Sequence, residues 1–573
     1  MENIYCFNND CITECSRLII HNNILFSFSC AFKANKNIFF LPNTFAPDNN
    51  YQSIHIEKFT NVRSLDVTKT TQTIDLKYFK NLEKLISLKS TEIFNPSKLT
   101  YLKCIHKNES NFNIEKYTNL KYLIHPYVKQ IENLTNLQSF ECTFENHTSD
   151  KCDLSSLYYL TKLYLVQTQK DKNYILQHVA ISNEQKLIEL HARNILFFDT
   201  VINGDRLKYL DMCNVTHCIF SHLKQARSIN MLHVSAFSIL NHNESYQHLT
   251  QMKINNYELW NFCNMTNLKH IEISKYKQSP SVHLSKLISL EKMTIEHNLY
   301  INDICVTSLT KLIHLKFINY IHKTFFGDAK RKEIPDEWKH VLKYTFRLPK
   351  NIKLLHYIEK SKLAREEKTY SRISWAHKIF IQINDLKYID TLHVEKLELN
   401  DNNLHMINNP SLTKLILRKC KFPISNNKMM YLDSVKNLTL DKINMINVNT
   451  EYLSSLKKLT LKDCSFILTD QLNSLKALEV LKLYDMKCKL KLDQITTLTN
   501  LIIRDDSICV DIRKLCRLKR LSVSNPCIFF EMCLQKLPLS LKNVYIDVHT
   551  EIENDISKLS MKDVNLHFNR KYL

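Results

Sequence analysis

Glycine is almost absent from this chain of 573 residues, which contains only Gly204 and Gly327. Ordinary usage would give about forty. A phosphate-binding P-loop, a dinucleotide-binding turn, a kinase glycine-rich loop, a nucleophile elbow and an EF-hand loop all need glycine at fixed positions, and none can be formed here. The commonest nucleotide, hydrolase and calcium-binding chemistries are therefore excluded. We predict that the protein is not an enzyme and uses no cofactor.

Long apolar runs and a basic leader are also missing. Residues 1–6 contain no basic side chain, and the apolar stretch from Leu18 to Phe32 is broken by polar residues at 21–23. No window reaches the run of about eighteen apolar residues that a membrane-spanning helix needs. The cysteines are scattered from Cys6 to Cys533, unlike the dense framework of a small secreted domain. We therefore predict no secretion signal, no membrane span, a cytoplasmic location and reduced, buried cysteines.

Negative charge is in short supply. The chain has 78 Lys and Arg residues against 57 Asp and Glu residues, a net charge of +21, while 44% of its residues are hydrophobic. The apolar fraction is that of a globular chain with ample core. The charge favours an anionic partner, either nucleic acid or an acidic protein. Asn, Lys and Ile are all abundant, so an AT-rich coding sequence would produce the same excess, and both explanations stay open.

One pattern recurs along the chain: apolar-x-x-apolar-x-x-apolar-x-apolar. Its clearest copies, LSSLKKLTL at 453–461 and LKALEVLKL at 475–483, are 22 residues apart. The final apolar-x-apolar pair begins at positions 65, 85, 102, 123, 140, 163, 190, 210, 232, 252, 271, 293 and 315, and then at 397, 415, 438, 459, 481, 501, 521, 544 and 564. Almost every step lies between 17 and 23 residues, whereas chance matches would scatter.

This pattern resembles the leucine-rich repeat family, whose unit contains L-x-x-L-x-L-x-x-N/C. The resemblance covers roughly residues 59 to 566, with short 20–23-residue units like those of intracellular members. It implies an α/β solenoid, a leucine-rich repeat horseshoe with a concave parallel β-sheet, in which each L-x-L is a strand with both leucines inward. The family's Asn/Cys position holds Asn298, Asn402, Cys420 and Cys464 in some repeats, and Tyr257, Tyr276, Met486 and Pro526 in others. Buried backbone groups at the irregular corners then need other partners.

The spacing divides the chain into four segments. Residues 1–58 lack the pattern and are predicted to cap the first repeat, because an open solenoid end exposes apolar core. Residues 59–318 and 394–573 are predicted as an N-terminal array and a C-terminal array with its own cap. Residues 319–393 are an insertion or degenerate repeats, with fragments of the pattern at 352–354 and 379–381. The array is therefore either one continuous solenoid or two.

The candidate binding surface is the concave face, which the strand residues flanking the inward leucines would form. These residues are mainly basic in the C-terminal half, whereas in the N-terminal half the charges are balanced and tyrosines are interleaved. Tyrosine and arginine are enriched at protein–protein interfaces. The predicted partner-binding residues are Lys396, Lys414, Arg418, Lys458, Lys462, Lys482, Tyr484, Arg504 and Arg520, together with Tyr101, Tyr122, Tyr164 and Tyr209.

Binding rather than catalysis is the predicted function. The first hypothesis is a non-catalytic scaffold or adaptor that holds an unidentified protein on the concave face. The second is an electrostatic binder of nucleic acid or another polyanion through the basic C-terminal half. The third is a regulatory subunit of a protein phosphatase, because Arg372–Trp375 resembles a docking peptide for protein phosphatase 1.

Metal and catalytic motifs are lacking. Cys6, Cys11, Cys15 and His21 are close in sequence, but their spacing matches no common zinc pattern and indicates a cysteine-rich cap. Cys509, Cys516, Cys527 and Cys533 fall in consecutive repeats, where packing accounts for them. The sequence therefore predicts no metal ligand and no catalytic residue.

Overall fold

A computed structural model describes a large part of the chain. The described residues are 15–21, 24–30, 63–69, 80–87, 96–104, 114–125, 131–144, 152–168, 177–182, 186–197, 201–232, 234–239, 246–255, 264–274, 284–298, 308–320, 348–359, 386–397, 409–420, 432–443, 453–464, 472, 474–486, 490–492, 495–504, 510–524, 537–548 and 564–570. The chain divides into two compact units, Met1–Asn256 (unit 1) and Tyr257–Leu573 (unit 2).

Each repeat places one short strand beside the strand of the next repeat. In the repeat at 453–461, Leu459 and Leu461 are 3% and 1% exposed, whereas the alternate residues Lys458 and Thr460 are only half-buried. This alternation follows from the two-residue period of a strand. The preceding Leu456 is also buried, and its amide donates to the Leu453 carbonyl at 2.9 Å. The L-x-x-L segment therefore forms the corner and the L-x-L segment the strand.

Unit 1 contains a main sheet and a second, smaller sheet. Its strands are β1 (Cys15–His21), β2 (Ile24–Cys30), β3 (Ser64–Lys69), β4 (Lys84–Ser87), β5 (Tyr101–Cys104), β6 (Tyr122–His125), β7 (Ser139–Phe144), β8 (Cys152–Asp153), β9 (Lys162–Gln167), β10 (Gln177–Ala180), β11 (Glu189–Arg193), β12 (Ile195–Phe197), β13 (Val201–Ile202), β14 (Tyr209–Cys213), β15 (Thr216–Phe220), β16 (Ser228–Leu232), β17 (Ser235–Ile239) and β18 (Gln251–Asn255).

The main sheet of unit 1 runs β2-β1-β3-β4-β5-β6-β7-β9-β11-β14-β16-β18. Only the β1–β2 pair is antiparallel. The segment predicted as a cap thus adds a hairpin to the first repeat strand. The second sheet joins β8, β10, β12, β13, β15 and β17 by parallel pairings, so these repeats carry an extra strand that the sequence pattern did not predict.

Unit 2 continues the same one-strand repeat. Its strands are β19 (His270–Ser274), β20 (Lys292–Asn298), β21 (His314–Tyr320), β22 (Leu354–Glu359), β23 (Thr391–Glu395), β24 (Lys414–Arg418), β25 (Asn437–Asp441), β26 (Lys458–Lys462), β27 (Val480–Tyr484), β28 (Leu490–Lys491), β29 (Asn500–Arg504), β30 (Val510–Asp511), β31 (Arg520–Val523), β32 (Asn543–Val548) and β33 (Asn565–Arg570). All but β28 and β30 pair in chain order, in parallel. β28 and β30 form a separate pair.

Helix is a minor component of both units. The helices described in full are four 3-10 helices, Pro96–Lys98, Ile114–Lys116, Ile131–Asn133 and Leu284–Lys286. The predicted parallel solenoid of leucine-rich repeats is confirmed by the strand ladders and their buried L-x-L pairs. Among the residues described, no helix is both long enough and apolar enough to cross a bilayer.

The predicted register is wrong at three repeats. The inward pair begins at Ile229 rather than 232, at Leu392 rather than 397, and at Leu566 rather than 564. Ile229 and Leu392 are 1% and 0% exposed. Leu397 lies five residues after Leu392, at the buried corner that follows the strand. A second apolar residue two positions after that corner imitates the L-x-L pattern, which explains the error there.

Strand β22 lies within the segment predicted as an insertion or degenerate repeats. β22 pairs in parallel with β21 on one side and with β23 on the other, with Leu315, Leu355 and Leu392 in register. Ile352, Leu355 and Tyr357 are 0% exposed, which reproduces the buried positions of an ordinary repeat. The fragment at 379–381 lies outside the described residues. The predicted domain boundaries stay a prediction.

A left-handed residue follows many strands, and among the described residues it is never glycine. In this part of the chain, seven non-glycine residues have positive φ between 46° and 61°. They are Asn194, Asn214, Lys396, Lys419, Lys442, Asp463 and Asp485. Each donates its amide to a carbonyl of the next repeat, as Lys419 does to Asp441 at 2.7 Å. The described turns are therefore formed without glycine. Asn and Asp tolerate this conformation comparatively well, whereas it costs energy at the lysines.

The corner position of the repeat is filled by cysteine in two described repeats. The thiols of Cys420 and Cys464 contact the Val394 and Leu440 carbonyls of the preceding repeats at 3.6 and 3.5 Å. Met486 fills the same position at 0% exposure. Asn402, Tyr257, Tyr276 and Pro526 lie outside the described residues, and of Asn298 only the backbone is described, as the last residue of β20.

Most of the described cysteines are buried, as predicted, but not all of them. Cys104, Cys142 and Cys218 are buried, like the two corner cysteines. Burial raises the pKa of the Cys104 thiol to about 12, so this thiol is unreactive. Cys516 is exposed, which contradicts the prediction that packing accounts for it. It lies in a turn before β31, where the repeat has no inward position.

Candidate interaction surface

The open face is the side of each strand ladder opposite the buried leucines. In each repeat it carries the residue before the inward pair, the residue between the pair and the residue after it, because alternate strand residues point to the same side. Parallel registry aligns these residues in three columns along each unit. The functional side chains are therefore positioned by strands, not by loops.

In unit 1 the open face carries a closed polar network. Lys162 Nζ and Tyr164 Oη both donate to the Glu189 carboxylate, at 2.7 and 2.5 Å. The Tyr164 ring stacks on His191 with centroids 4.4 Å apart, and His191 Nδ1 lies 3.3 Å from Asp211 Oδ2. The network continues across the next strand, where Asn230 donates to the other Asp211 oxygen at 2.6 Å.

Burial and hydrogen bonds shift the ionisation of several groups in the network. Burial, followed by the hydrogen bond to Glu189, raises the pKa of Tyr164 to about 12. Burial acts against ionisation of Glu189, but the hydrogen bonds from Lys162 and Tyr164 outweigh it and lower the pKa of this carboxyl. The hydrogen bond from His191 lowers the pKa of Asp211. Both carboxylates thus have hydrogen-bond partners, and the network forms a fixed polar platform.

The structure brings only two of the four predicted tyrosines together. Tyr101 and Tyr122 are neighbours on β5 and β6, with ring centroids 6.1 Å apart, and Lys84 Nζ lies 4.5 Å from the Tyr101 ring centre. Tyr164 belongs to the polar network. Tyr209 is registered beside Glu189 on the next strand and is 42% exposed. These tyrosines are spread over six strands of the unit, so they do not form one anchor.

In unit 2 the open face is strongly basic. Lys414 and Lys458 lie in the column before the inward pair, two strands apart, and Arg520 lies further along it. Lys482 is in the central column, registered with Thr460. Arg418, Lys462, Tyr484 and Arg504 follow one another in the last column, with Asp441 between Arg418 and Lys462.

Two of the arginines are paired within the fold. Arg418 Nε lies 3.0 Å from Asp441 Oδ2, and the Arg504 guanidinium contacts the buried Asp547 carboxylate. Arg520 lies over the Tyr545 ring at 5.5 Å. These three side chains are therefore at least partly committed to contacts inside the protein.

Four lysines make up the uncompensated basic face: Lys414, Lys458, Lys462 and Lys482. Within the described part of the chain, none of the four has a carboxylate within ion-pair distance. Partial burial, and then the like charges of Lys482 and Lys414, lower the pKa of Lys458. Such repulsion is unfavourable in the free protein, so an anionic ligand on this face would relieve it.

Lys396 is not a strand residue, contrary to its predicted place beside an inward leucine. β23 ends at Glu395, and Lys396 occupies the left-handed turn with φ 61°. Its amide donates to the Arg418 carbonyl at 2.8 Å, and its ammonium lies 3.9 Å from Glu395. The register error at 397 placed it wrongly, and it is separate from the basic face.

Two histidines and a glutamate form a cluster that the sequence did not predict. His356 on β22 and His393 on β23 are registered neighbours in the central column, with ring centroids 3.8 Å apart and planes at 11°. Glu395 is two residues after His393 on the same face of the strand. One ligand atom of each of the three lies within 4.8 Å of the others. The H-x-E signal at 393–395 was hidden by the register error.

Burial keeps this histidine pair neutral. Burial, followed by the nearby charges of His393, Lys316 and Arg418, lowers the pKa of His356 to about 3. Burial also lowers the pKa of His393, against the opposing charge of Glu395. The Nε2 atoms of both rings are buried and have no hydrogen-bond partner.

Three sequence-based hypotheses fall on residues whose structure is not described. Arg372–Trp375, the phosphatase-like peptide, and Cys6 and Cys11 of the N-terminal cluster lie outside the described residues. Cys15 and His21 lie at the two ends of β1. Cys509, Cys527 and Cys533 also lie outside the described part.

Comparison with known proteins returns matches at the level of structure. No protein-family model and no curated protein matches the sequence. A Leptospira interrogans leucine-rich repeat protein is 14% identical, over 83% of this chain and 97% of its own, with a TM-score of 0.35. The plant peptide hormone receptor RGFR1 in complex with RGF2 is 13% identical, over 90% and 88%, with a TM-score of 0.30. The TLR13–ssRNA13 complex is 13% identical, over 90% and 86%, with a TM-score of 0.38.

The class of the protein follows from its own repeat geometry. A buried L-x-x-L-x-L motif, one strand per repeat and a parallel ladder define the fold as a leucine-rich repeat solenoid. The polar and charged side chains of its open faces provide an extended surface.

Proposed function

We propose that the protein is a non-catalytic scaffold that binds an acidic protein on the open face of unit 2. The observation that carries this proposal is the uncompensated basic face. Lys458 and Lys462 lie on β26 and Lys482 lies on the adjacent strand β27, whereas Lys414 lies on β24, which β25 separates from β26. Neutralising carboxylates are missing within the described part of the fold, so the partner would supply them.

Spacing supports a macromolecular ligand. Neighbouring strands in a sheet are about 4.8 Å apart, so Lys414 on β24 and Lys458 on β26 are separated by roughly 10 Å across the sheet. Lys482 lies one strand beyond Lys458. An acidic protein segment laid across these strands can contact all of these lysines together.

Charge reversal tests this proposal. Lys458→Glu with Lys482→Glu removes two positive charges from the basic face and adds two negative ones. The control is Lys436→Glu with Lys476→Glu, which changes charge equally in exposed turns before β25 and β27. We expect a protein captured from extracts of the native cells to survive nuclease treatment, to be retained by the control and to be lost by the double variant. Equal capture by all three proteins would contradict the proposal.

A second candidate ligand is a nucleic acid, favoured by the same lysines and by the net charge of +21. Phosphate contacts release counterions, so binding would fall steeply with salt. Anisotropy with a labelled single-stranded oligonucleotide and a labelled polyglutamate peptide compares the two ligands. If only the oligonucleotide binds, and if Lys458→Glu with Lys482→Glu abolishes this binding, the ligand of the basic face is a nucleic acid and not an acidic protein.

A further inference from the structure

The imidazoles of His356 and His393 each contain a buried nitrogen atom without a hydrogen-bond partner. Both Nε2 atoms are buried without a hydrogen-bond partner, although nearly all buried polar atoms in proteins have one. The stacked rings, 3.8 Å apart, direct no donor at each other. A ligand that accepts two imidazole lone pairs at once would satisfy both rings.

The third side chain identifies the kind of ligand. Glu395 lies two residues after His393 on the same strand, and His356 lies directly opposite His393 on β22. The three donors therefore occupy the corners of a triangle on one face of two hydrogen-bonded strands. Two imidazole nitrogens and one carboxylate oxygen are a common ligand set for zinc and related transition metals.

We propose that His356, His393 and Glu395 bind a divalent transition-metal ion of the zinc type, with a fourth position open to water or to a partner. Nitrogen ligands at about 2.0–2.1 Å from tetrahedral zinc are roughly 3.3 Å apart. Because the ligand atoms lie within 4.8 Å of one another, closure brings them closer by about 1.5 Å or less. It also turns the two stacked rings so that their lone pairs converge, and rotation about the side-chain torsions can provide both movements. The strands that carry the ligands need not move.

The neighbouring charges set the expected affinity. Lys316 is registered beside His356, and Arg418 lies beside Glu395 on the next strand. Arg418 is paired with Asp441, and Lys396 contacts Glu395 only at 3.9 Å. These cations weaken binding of a dication but favour an anion at the open position. The site is independent of the basic face, whose lysines are not ligands.

Metal titration of the full chain tests this site. Chelator-stripped, reduced protein is titrated with Co²⁺, whose visible bands report low coordination number and whose near-ultraviolet band reports thiolate ligands. We expect one equivalent to bind with visible bands and no thiolate band. In His393→Ala and Glu395→Gln this equivalent is weakened about tenfold or more, while His270→Ala, on the same open face, retains it.

Absorption spectroscopy of the zinc-loaded protein provides a second readout. We expect an X-ray absorption spectrum fitted by two imidazoles and oxygen ligands, without sulfur. The proposal is wrong if wild type and both ligand variants bind Co²⁺ with equal stoichiometry and spectra, or if zinc is held by sulfur alone. Glu395→Gln keeps the test decisive should His393→Ala fail to fold, because it retains the size of the side chain.

Discussion

At the residue scale, three of the described left-handed turns are occupied by lysine, which tolerates this backbone conformation poorly. Lys419 and Lys442 adopt φ of 51° and 54°. A residue with a Cβ pays about 1–2 kcal/mol in this conformation, whereas glycine does not. Lysine at these positions is therefore locally unfavourable, and the interactions of the strand ladder outweigh this backbone energy.

We expect Lys419→Gly to raise the free energy of unfolding by about 0.5 kcal/mol. The relieved backbone energy slightly exceeds the entropy that glycine loses on folding, roughly 0.5–1 kcal/mol. Lys419→Val should lower it, because a β-branched residue is least tolerant of positive φ. Chemical denaturation measures both. The matched control is Lys436→Gly, which lies outside the set of left-handed residues and which we expect to lower the free energy of unfolding. A lower free energy of unfolding for Lys419→Gly would contradict the left-handed turn at this residue.

We expect Tyr164 to ionise at a higher pH than an ordinary tyrosine. Burial and the hydrogen bond to Glu189 raise its pKa from 10.0 to about 12. Since the folded state holds the proton more tightly, this contribution to stability is full below pH 10 and is lost as the pH rises toward about 12. The tyrosinate absorbance of wild type minus that of Tyr164→Phe measures this one side chain. A difference signal centred near the ordinary tyrosine value would contradict the network.

These residue-scale features were only partly predictable. Tyr164 and the four lysines of the basic face were identified because L-x-L alternation fixes which side chains leave the core. The left-handed lysines could not be identified, because lysine has no preference for that conformation. The histidine cluster was missed since it depends on which residues of two distant segments, 352–358 and 391–395, become registered neighbours.

At the element scale, asparagines connect successive repeats of unit 1. The side-chain Nδ2 of Asn194 donates to the Gln167 backbone carbonyl at 2.6 Å, and its Oδ1 accepts from Asn214 Nδ2 at 2.9 Å. Asn194 is 7% exposed, so these bonds are formed away from solvent. This ladder lies one residue before the corner position at which the family pattern places its asparagine.

We expect Asn194→Ala to lower the free energy of unfolding by about 2–3 kcal/mol. The change removes buried hydrogen bonds and places alanine at φ 58°. Asn194→Gly keeps the left-handed backbone and should cost about 1 kcal/mol less, which separates the two contributions. Urea denaturation measures the change in the free energy of unfolding, and hydrogen exchange of the native protein shows whether β9 and β11 are destabilised. Equal, small losses in both variants would mean that the ladder contributes little.

The corrected register of β16 is open to a direct comparison. Ile229→Ala should cost about 2–5 kcal/mol, because Ile229 is 1% exposed and its removal leaves a cavity. Leu232→Ala should cost clearly less, since Leu232 is only half-buried at the strand end. The reverse order of stabilities, measured by urea denaturation, would restore the sequence-derived register.

Strand existence was more predictable than strand register. The recurring L-x-L pairs located nearly all the repeat strands, and the long step from 315 to 397 left β22 as a fragment only. At 397 the buried corner residue and Leu399 together imitate an L-x-L pair. The complete pattern is nevertheless present five residues earlier, with apolar residues at 386, 389, 392 and 394, so the local sequence already favours 392. Parallel pairing with β22 and β24 confirms this register.

At the scale of the whole molecule, net charge of +21 is distributed unequally over the open faces. In unit 1 the Glu189 and Asp211 carboxylates on the open face accept hydrogen bonds within a network. In unit 2 the lysines of the basic face lack such partners among the described residues. An AT-rich coding sequence explains an overall lysine excess, but it does not explain why Lys458, Lys462 and Lys482 share the open face of the two adjacent strands β26 and β27.

Site-specific photo-cross-linking tests the central claim most directly. A benzoylphenylalanine replaces Thr460, which lies between Lys458 and Lys462 on the open face, or Ser454, which is exposed in the turn of the same repeat. We predict that the probe at 460 captures a nuclease-resistant protein partner and that the probe at 454 does not. Capture from 454 and not from 460 would contradict binding on the open face of unit 2.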